Sequence, residues 1–431
     1  MFKHTTSPAR LLLGLVLVLS GFGFGRAQDS SSTAPLTPEV KQQVLDAIAD
    51  VVQKQAYLPE VDFSKWPQFL ATEKAAIDKA TTPRDFTKAV NEAFHHFGVS
   101  HILLATPQQA EARRDKAAIG IGVSLQAEPD GLRVVNLFPA APAAEAGVEL
   151  GDLIIEADGK KPDSPAQLVG DEGTTISIKV KKADGQVKSY TIKRAKFSSL
   201  RPETLTWIGS DVAILRIYTF DQTYDRKRVE NLMTQAAKAK ELIVDLRSNG
   251  GGLVYNMMHL LGLLLKDGTP VGSFVSRSMV DRFVKETGGK PDDSLKIAFW
   301  SPRKVRAQQQ AVPVYTGHVA VLINGGTGSA AEIVTAALQD TLEAPVVGSR
   351  SAGAVLVSVM QPLPDGFQMQ YPLSDYVTMH GVRLEGKGIE PDAEAPIPRY
   401  GQKDVAIDKA VALLHRMELR DARYGKDESG N

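Results

Sequence analysis

Ser329 lies where a glycine-rich turn meets an alanine-rich segment of helical pattern, in the stretch INGGTGSAAEIV of residues 323–334. A helix that begins directly behind such a turn presents free N–H groups and the positive end of its dipole, and both stabilise negative charge. Ser329 therefore has two interpretations. It is either the N-cap of the helix, a very common use of serine, or a nucleophile whose oxyanion intermediate the helix end stabilises.

A second glycine-rich turn, RSNGGG at residues 247–252, also follows a strand-like run. An amide at Gly251 can approach a substrate carbonyl because no side chain intervenes, and catalytic oxyanion holes need paired donors. The alternatives for residues 250–252 are a phosphate-binding loop and an ordinary turn. No lysine of the P-loop kind follows, so the second turn favours the nucleophile interpretation of Ser329.

The elements that must position these turns alternate between strand-like and helix-like runs from residue 208 onward. This alternation predicts an α/β layer with parallel strands, and such sheets place ligand sites at the carboxyl ends of their strands. Both glycine turns lie at such ends. The predicted strands are residues 212–218, 242–246 and 319–323, and the predicted helices are residues 226–238, 254–265 and 330–342.

Two regions of different pattern precede this layer. From residue 37 to about residue 107, apolar residues such as Val40, Val44 and Ile48 repeat at helical spacing, which predicts two or three packed helices. From residue 117, short β-rich runs between turns predict a small β-rich module. Its markers, GIGV at 120–123, AAEAGV at 143–148 and GDLIIEADG at 151–159, together resemble a PDZ domain.

The PDZ resemblance implies that this module binds peptide ends. In that family a peptide adds as a strand beside the second strand, and the amides of the preceding loop hold its terminal carboxylate. Here that loop consists of Ile119, Gly120, Ile121 and Gly122. A PDZ domain that serves only as a hinge or a lid is the alternative.

Three motifs that follow the PDZ-like module resemble the tail-specific, or carboxyl-terminal processing, serine peptidases. They are DLRSNGGGL at residues 245–253, the segment 324–340 and GIEPD at residues 388–392. The resemblance implies that Ser329 is the nucleophile. One position departs from the pattern. The Ser-Lys branch of the family has its base lysine in a TFGKG-like turn, whereas the matching segment here reads SAGAV and has Ala354 in that place.

Without that lysine the serine hydroxyl needs another base, and histidine is the natural candidate. The tricorn-like branch of the superfamily uses a Ser-His pair in its N-terminal region and a glutamate near the C-terminal motif. These residues correspond to Ser100, His101 and Glu385. The resemblance implies that His101 is the general base, that Glu385 orients the imidazole or a neighbouring water, and that Ser100 assists.

The same mechanism assigns the oxyanion hole to the amides of Gly251 and Ala330. A relocated base at Lys387 is an alternative, although its flanking glycines and charged neighbour favour a solvated loop. The missing lysine also leaves open a catalytically inactive homologue that binds peptides or other ligands, and hydrolysis of non-peptide esters shares the same chemistry.

The composition excludes other classes of function. Among 431 residues, 50 basic residues balance 50 acidic ones, so no field of one sign attracts nucleic acid or a membrane surface. Cysteine is absent, which excludes disulfides and cysteine-ligated zinc, and we expect no metal and no cofactor. Lys3 and Arg10 precede an apolar run that ends near small residues at 25–27, as in a cleaved secretory signal. We expect no membrane span after its removal.

These observations predict a mixed α/β and α+β fold. Its parts are an N-terminal helical region, a PDZ-like β-rich module and an α/β peptidase core of the ClpP/crotonase kind. The predicted function is an exported, periplasmic or secreted serine endopeptidase that acts on polypeptides, with the PDZ module gating or presenting the substrate. The predicted boundaries are 1–27 for the signal peptide, 28–36 for a disordered segment, 37–116 for the helical region, 117–197 for the PDZ domain, 198–412 for the core and 413–431 for a C-terminal tail.

Overall fold

The structure is a computed structural model that describes residues 36–398 and 401–424. The predicted signal peptide, and the predicted disordered segment apart from its last residue, lie outside the described residues. Within the described ranges, helices and strands are mixed, and the predicted fold class is confirmed. None of the helices in those ranges combines the length and the apolar composition that crossing a bilayer requires.

The N-terminal region is helical, as predicted, and three of its helices begin at a Thr-Pro pair. The threonine side chain caps the first turn at Thr37, Thr82 and Thr106, and the following proline fits the first helical position. The elements are helices α1 (Pro38–Lys54), α2 (Trp66–Thr72), α3 (Lys74–Lys79) and α4 (Pro83–His95), strand β1 (Leu103–Ala105) and helix α5 (Pro107–Arg114).

The β-rich module contains a five-stranded antiparallel sheet, in the order β3-β4-β5-β6-β7, and a separate pair, β2-β8. Strand β3 lies at the edge of its sheet, with the short 3-10 helix Pro165–Leu168 beside it. The elements are β2 (Ala117–Gly120), β3 (Val123–Glu128), β4 (Gly131–Leu137), α6 (Pro142–Glu145), β5 (Leu153–Ala157), β6 (Thr175–Lys181), β7 (Val187–Lys193) and β8 (Ala195–Ser198).

The remaining chain builds two sheets with helices around them. All six predicted strands and helices of this α/β layer recur among the observed elements below, with ends within two residues of the predicted ones. These are β9 (Thr204–Ile208), β10 (Val212–Arg216), α7 (Arg226–Ala236), β11 (Glu241–Asp245), α8 (Val254–Leu264), β12 (Pro270–Ser276), α9 (Arg277–Thr287), α10 (Ser294–Trp300), β13 (Val305–Arg306), β14 (His318–Ile323), α11 (Ala330–Leu342), β15 (Val346–Gly348), β16 (Val357–Pro362), β17 (Gln368–Val377), β18 (Ala393–Glu394) and α12 (Val405–Tyr424).

The central sheet has the order β18-β15-β14-β11-β10-β9 and is parallel except for β9. Strands β11 and β14 are neighbours, with Asp245 opposite Leu322. The two glycine-rich turns therefore leave the same edge of the sheet side by side, as expected for parallel strands.

The second sheet ties the N-terminal region to the core. Strand β17 pairs with β1, β12 and β16, and Leu104 of β1 lies opposite Met369. The N-terminal helices also bury Trp66 and Phe86 in one apolar cluster with Phe367 of the segment before β17. Because these contacts hold both sides of residues 96–102, they fix the position of that segment against the core.

The last helix packs on one face of the central sheet. Its residues Ala410 and Leu414 are fully buried in a cluster with Ile243 and Leu322. The predicted boundary between core and tail at residue 412 falls inside this helix. Beyond that boundary Leu414 is buried, and Leu413 and Met417 are partly buried against the same cluster, so the apolar stripe of the helix continues past residue 412.

Candidate active site

Ser329 occupies a sharp turn between strand β14 and helix α11. Its backbone dihedrals are φ 54° and ψ −123°, a strained conformation for a residue other than glycine. Its N–H group donates to the carbonyl of Ala354 at 2.7 Å and to Glu332 Oε2 at 3.1 Å. These bonds hold the backbone in the strained conformation, so the side chain projects from the tip of the turn, as in a nucleophile elbow.

Hydrogen bonds of Asn324 join the two glycine-rich turns. Its Oδ1 accepts from the N–H groups of Ser248 (2.8 Å) and Gly326 (3.0 Å), and its Nδ2 donates to Ser248 Oγ at 3.1 Å. The N–H of Gly328 donates to the carbonyl of Asn249 at 2.9 Å. The turn after β11 is therefore held directly against the turn that presents Ser329.

Gly251 lies directly beside Ser329, as the sequence predicts, and no larger residue fits there. A Cβ atom at this position would lie 2.5 Å from Ser329 Cβ, and the backbone has a φ of +95°. The N–H of Gly251, however, donates to Asn249 Oδ1 at 2.9 Å. The prediction that this amide is free to bind an oxyanion is thus corrected, because the Asn249 side chain folds back and takes the donor.

The amide of Ala330 fits the predicted role better. Ala330 is the first residue of α11, where a backbone N–H has no acceptor within its own helix. Its amide makes no hydrogen bond to any of the described residues. The donor therefore remains available at the positive end of the helix dipole, next to Ser329 Oγ.

His101 meets Ser329 across 228 positions of sequence. Its Nε2 lies 3.0 Å from Ser329 Oγ, which is within the reach that proton transfer requires. His101 itself has a positive φ of 57°, in the short segment between α4 and β1. The packing of these two elements on the core thus brings an imidazole from the N-terminal region to the serine.

Ser100 stands between His101 and Glu385. Its Oγ lies 2.6 Å from His101 Nδ1 and donates to Glu385 Oε2 at 3.0 Å. Glu385 also accepts from the N–H groups of Ser100 (2.8 Å) and Val355 (2.8 Å). The sequence predicted that Glu385 orients the imidazole or a water, and the structure gives it a different contact: it reaches the ring through the Ser100 hydroxyl.

The electrostatics of the site favour a neutral imidazole. Burial lowers the pKa of His101 to about 4, because the charged ring would lose hydration. Burial also raises the pKa of Glu332, whose side chain is fully enclosed, while hydrogen bonds from Ser351 and from neighbouring amides oppose this rise. His101 is therefore neutral and able to accept a proton, which is the state a general base needs, although its lowered pKa makes it a weaker base than a free imidazole.

The backbone around Ala354 fills the place beside Ser329 where the Ser-Lys pattern has its base. The Ala354 carbonyl accepts from Ser329 N–H, and its own N–H donates to Glu332 Oε2 at 3.0 Å. Lys387, the alternative base, is exposed. Its carbonyl accepts from Arg350 Nε at 2.6 Å, as expected for a solvated loop.

Sequence reasoning missed three polar residues that build the site: Asn249, Asn324 and Glu332. Asn249 and Asn324 orient the two turns, and Glu332 receives the N–H of Ser329. A signal for Glu332 was present in the sequence. Serine followed three residues later by glutamate is the pattern of a capping box, in which the glutamate reaches back to the N-cap amide.

Comparison with known proteins agrees with this geometry. Residues 211–395 match the sequence profile of peptidase family S41. These residues form a peptidase S41 domain. Residues 119–193 match the profile of a PDZ domain. The S41 match includes Ser329 and Glu385, whereas Ser100 and His101 lie before both matched ranges, so their place in the site rests on the geometry above.

Relatives of this chain carry the names of proteases. A probable CtpA-like serine protease from Staphylococcus haemolyticus is 27% identical over 72% of this chain and 60% of the relative. A carboxy-terminal-processing protease from Bartonella bacilliformis is 28% identical over 72% of this chain and 68% of the relative. The chain thus spans less than two thirds of the length of the first of these relatives.

Solved structures share the fold of this chain. Mature CPAF, determined in complex with lactacystin, superposes with a TM-score of 0.57 at 15% identity, over 89% of this chain and 99% of that protein. A putative S41 protease from Bacteroides fragilis superposes with a TM-score of 0.54 at 17% identity, over 86% of this chain and 97% of that protein. At these identities the likeness shows the fold alone.

The peptide-binding residues predicted in the PDZ domain lie at the break between β2 and β3. Ile119 and Gly120 belong to β2, and Ile121 and Gly122 form the connection. The carbonyls of this connection accept from Ala143 (2.8 Å) and Phe138 (3.0 Å), which hold it in place. The N–H groups of Ile121 and Gly122 bond to none of the described residues. Two donors therefore remain at the end of edge strand β3.

The contact between Gly251 and Ser329 predicts a sharp difference between neighbouring glycines. We expect Gly251→Ala to lower kcat and the rate of labelling by a fluorophosphonate by at least about 10²-fold, because its Cβ displaces Ser329 from its contact with His101. Gly250→Ala is the matched control, since a Cβ at Gly250 meets no atom within 4 Å. Equal activity of the two variants would show that the turns do not touch in solution.

The lowered pKa of His101 predicts an acid-tolerant reaction. The imidazole accepts a proton only when neutral, so activity is present above its pKa and lost as the pH falls through it. We expect kcat/KM for an uncharged ester to decline with a midpoint near pH 4, well below the ~6.5 of a free imidazole. Circular dichroism at each pH separates this loss from acid unfolding. A midpoint at 6.5 or above contradicts the buried, neutral state.

Proposed function

We propose that the chain is an exported serine endopeptidase that hydrolyses peptide bonds of polypeptides, with Ser329 as the nucleophile and His101 as the base. The observation that carries this proposal is the 3.0 Å separation between Ser329 Oγ and His101 Nε2, beside a matched S41 domain. A serine hydroxyl within hydrogen-bond reach of a neutral imidazole is activated for attack on a carbonyl carbon.

The acylation step follows from this geometry. Ser329 Oγ attacks the carbonyl carbon of the scissile peptide bond, and its proton passes to His101 Nε2. The carbonyl oxygen becomes an oxyanion, which accepts the free N–H of Ala330 at the positive end of α11. The C–N bond then breaks, the leaving amine takes the proton from His101, and an acyl-enzyme remains.

Deacylation repeats these steps with water. His101 Nε2 removes a proton from water as its oxygen attacks the acyl carbon, and the same proton returns to Ser329 Oγ when the ester bond breaks. The released product carries a new carboxylate. One water is consumed for each peptide bond, and the side chains return to their starting states.

Ser100 transmits the charge of Glu385 to the imidazole. When His101 Nδ1 carries a proton, it donates to Ser100 Oγ, whose own proton points to Glu385. This arrangement fixes the tautomer that leaves Nε2 free to accept, and it stabilises the imidazolium formed during attack. The two amides that donate to Glu385 keep its carboxylate aimed at Ser100.

Two adjoining cavities support a path for an extended polypeptide. One of about 750 Å³ is lined by Ser100 and His101, and the other, of about 570 Å³, is lined by Ile119 of the PDZ domain and by Gly252 and Leu253 of the turn after β11. The walls of both include Arg84, Thr106, Gln109 and Arg113. We infer that the PDZ domain presents the substrate along this cleft.

Export is proposed from the sequence of the first 27 residues. The charged start, the apolar run and the small residues at its end have the organisation of a cleaved signal. The proposed location is the periplasm or the extracellular space. The proposed substrates are polypeptides at that location.

An inactive homologue that only binds peptides is the second candidate, and the absence of the family lysine at Ala354 favours it. The contact between His101 and Ser329 favours the enzyme. Labelling with a fluorophosphonate separates the two, because the reagent reacts with an activated serine and not with an ordinary N-cap.

Single substitutions test the assigned roles. We expect Ser329→Ala and His101→Ala to lower kcat on an unfolded protein substrate by at least about 10⁴-fold, since each removes a reacting group. Ser100→Ala should cost about 10²-fold, because it interrupts the relay and leaves the base in place. Thermal unfolding serves as the control for folding. Full activity of His101→Ala contradicts the proposed base, and Lys387→Ala then tests the alternative one.

The PDZ assignment predicts a preference for a free carboxyl terminus. We expect a peptide with a C-terminal carboxylate to show a lower KM than the same peptide with a C-terminal amide, and a nearly equal kcat. The reason is that the backbone N–H groups of Ile121 and Gly122 bind the terminal carboxylate at a place distant from the scissile bond. An internal ester substrate too short to reach the PDZ domain is the control. Equal KM values for the two peptides would refute carboxylate capture by this loop.

A further inference from the structure

Three consecutive amides beside the nucleophile are held by two carboxylates. The N–H groups of Gly353 (2.8 Å) and Ala354 (3.0 Å) donate to Glu332, and the N–H of Val355 donates to Glu385 at 2.8 Å. The side chains of this turn are hydrogen, methyl and isopropyl, so they carry no group that could transfer a proton. The contribution of the turn lies in its backbone.

Glu332 is the point where this turn meets the nucleophile. The residue is fully buried, and its two oxygens receive four donors. Oε1 accepts from Ser351 Oγ (2.5 Å) and from Gly353, and Oε2 accepts from the N–H groups of Ser329 (3.1 Å) and Ala354. Its place in the first turn of α11 compensates the charge of the carboxylate with the helix dipole.

We propose that Glu332 is a positioning residue that sets the nucleophile against the Glu385–Ser100–His101 relay through the backbone of residues 353–355. One carboxylate fixes Ser329, the other fixes Ser100, and both bind adjacent amides of one short turn. A shift at either end therefore moves the other. The inference rests on the proposed function, because it assigns Glu332 to the same reaction.

The distance that Glu332 maintains is the 3.0 Å between Ser329 Oγ and His101 Nε2. A misplacement of about 1 Å costs about 10²-fold in rate. Glu332 touches neither the substrate path nor the imidazole, so its loss should act on the chemical step and not on binding. This separates it from a residue that holds the substrate.

Glu332→Gln tests the role with a minimal change in volume. In the glutamine, an NH₂ group replaces one of the two carboxylate oxygens. Each of these oxygens accepts from a backbone N–H of the turn, so the NH₂ group faces at least one backbone N–H in either orientation. Two donors that point at each other repel, so the turn must move away. We expect kcat to fall by about 10²-fold with KM nearly unchanged.

Thr335→Val is the matched control. Thr335 is fully buried on the same helix, and its hydroxyl donates to the carbonyl of Ala331 at 2.8 Å, away from residues 353–355. We expect this variant to lose stability in thermal unfolding while keeping kcat. An active Glu332→Gln enzyme, or an equal loss of kcat in Thr335→Val, overturns the proposal.

A double variant separates coupling from two independent effects. If the turn couples the position of Ser329 to that of Ser100, Glu332→Gln and Glu385→Gln break the same connection. The double variant should then lose little more activity than the less active of the two single variants. If the losses in log kcat add, the two carboxylates act separately and the proposal fails.

Ser351 offers a second route in case Glu332→Gln does not fold. Ser351→Ala removes one donor to Glu332, and Ser351→Thr keeps the hydroxyl. We expect Ser351→Ala to lower kcat and Ser351→Thr to restore most of it. Equal kcat values for both variants and the unaltered protein overturn the proposal.

Amide hydrogen exchange distinguishes this inference from the proposed function. Glu332→Gln should speed exchange at Val355, whose direct acceptor is Glu385, if the turn is one coupled unit. A wild-type protein without hydrolytic activity refutes the proposed peptidase function. In that case, faster exchange at Val355 in Glu332→Gln still supports the coupling. Unchanged exchange at Val355 overturns the coupling even in an active enzyme.

Discussion

The hydrogen bond between His101 and Ser329 is the interaction on which the candidate site depends. It joins two residues that are 228 positions apart, and neither element alone can form it. Two long-range contacts make it possible. Strand β1 adds to β17, and the N-terminal helices bury their aromatic residues against the same part of the core. The stability of that packing is therefore part of the geometry of the reaction.

The sequence was sufficient for the features that depend on local pattern. Thr-Pro pairs, alternating strands and helices, and the glycine turns at strand ends each follow from rules of short range, and the structure contains them. The S41 and PDZ matches confirm the fold class and the two predicted domains. Ser100, His101, Ser329 and Glu385 were predicted from a resemblance, and the structure brings these four side chains together in one chain of contacts.

Most of the remaining features depend on side chains whose partners are distant in sequence. The bond from the Gly251 amide to Asn249 is an exception, because an asparagine that binds the amide two residues on is the local pattern of an Asx turn. The indirect contact of Glu385 with the imidazole, by contrast, required the position of Ser100. The predicted boundary at residue 412 falls inside the last helix, whose burial depends on the sheet that it covers, and periodicity alone does not reveal that surface.

The wide separation of the reacting groups has a consequence for biogenesis. A chain that emerges from its amino end exposes the imidazole first, the serine hydroxyl much later, and Glu385 later still. No partly synthesised chain then contains all the side chains that meet at the candidate site. The contacts among them form only when nearly the whole chain is present, because the order of the chain itself delays the assembly of the site.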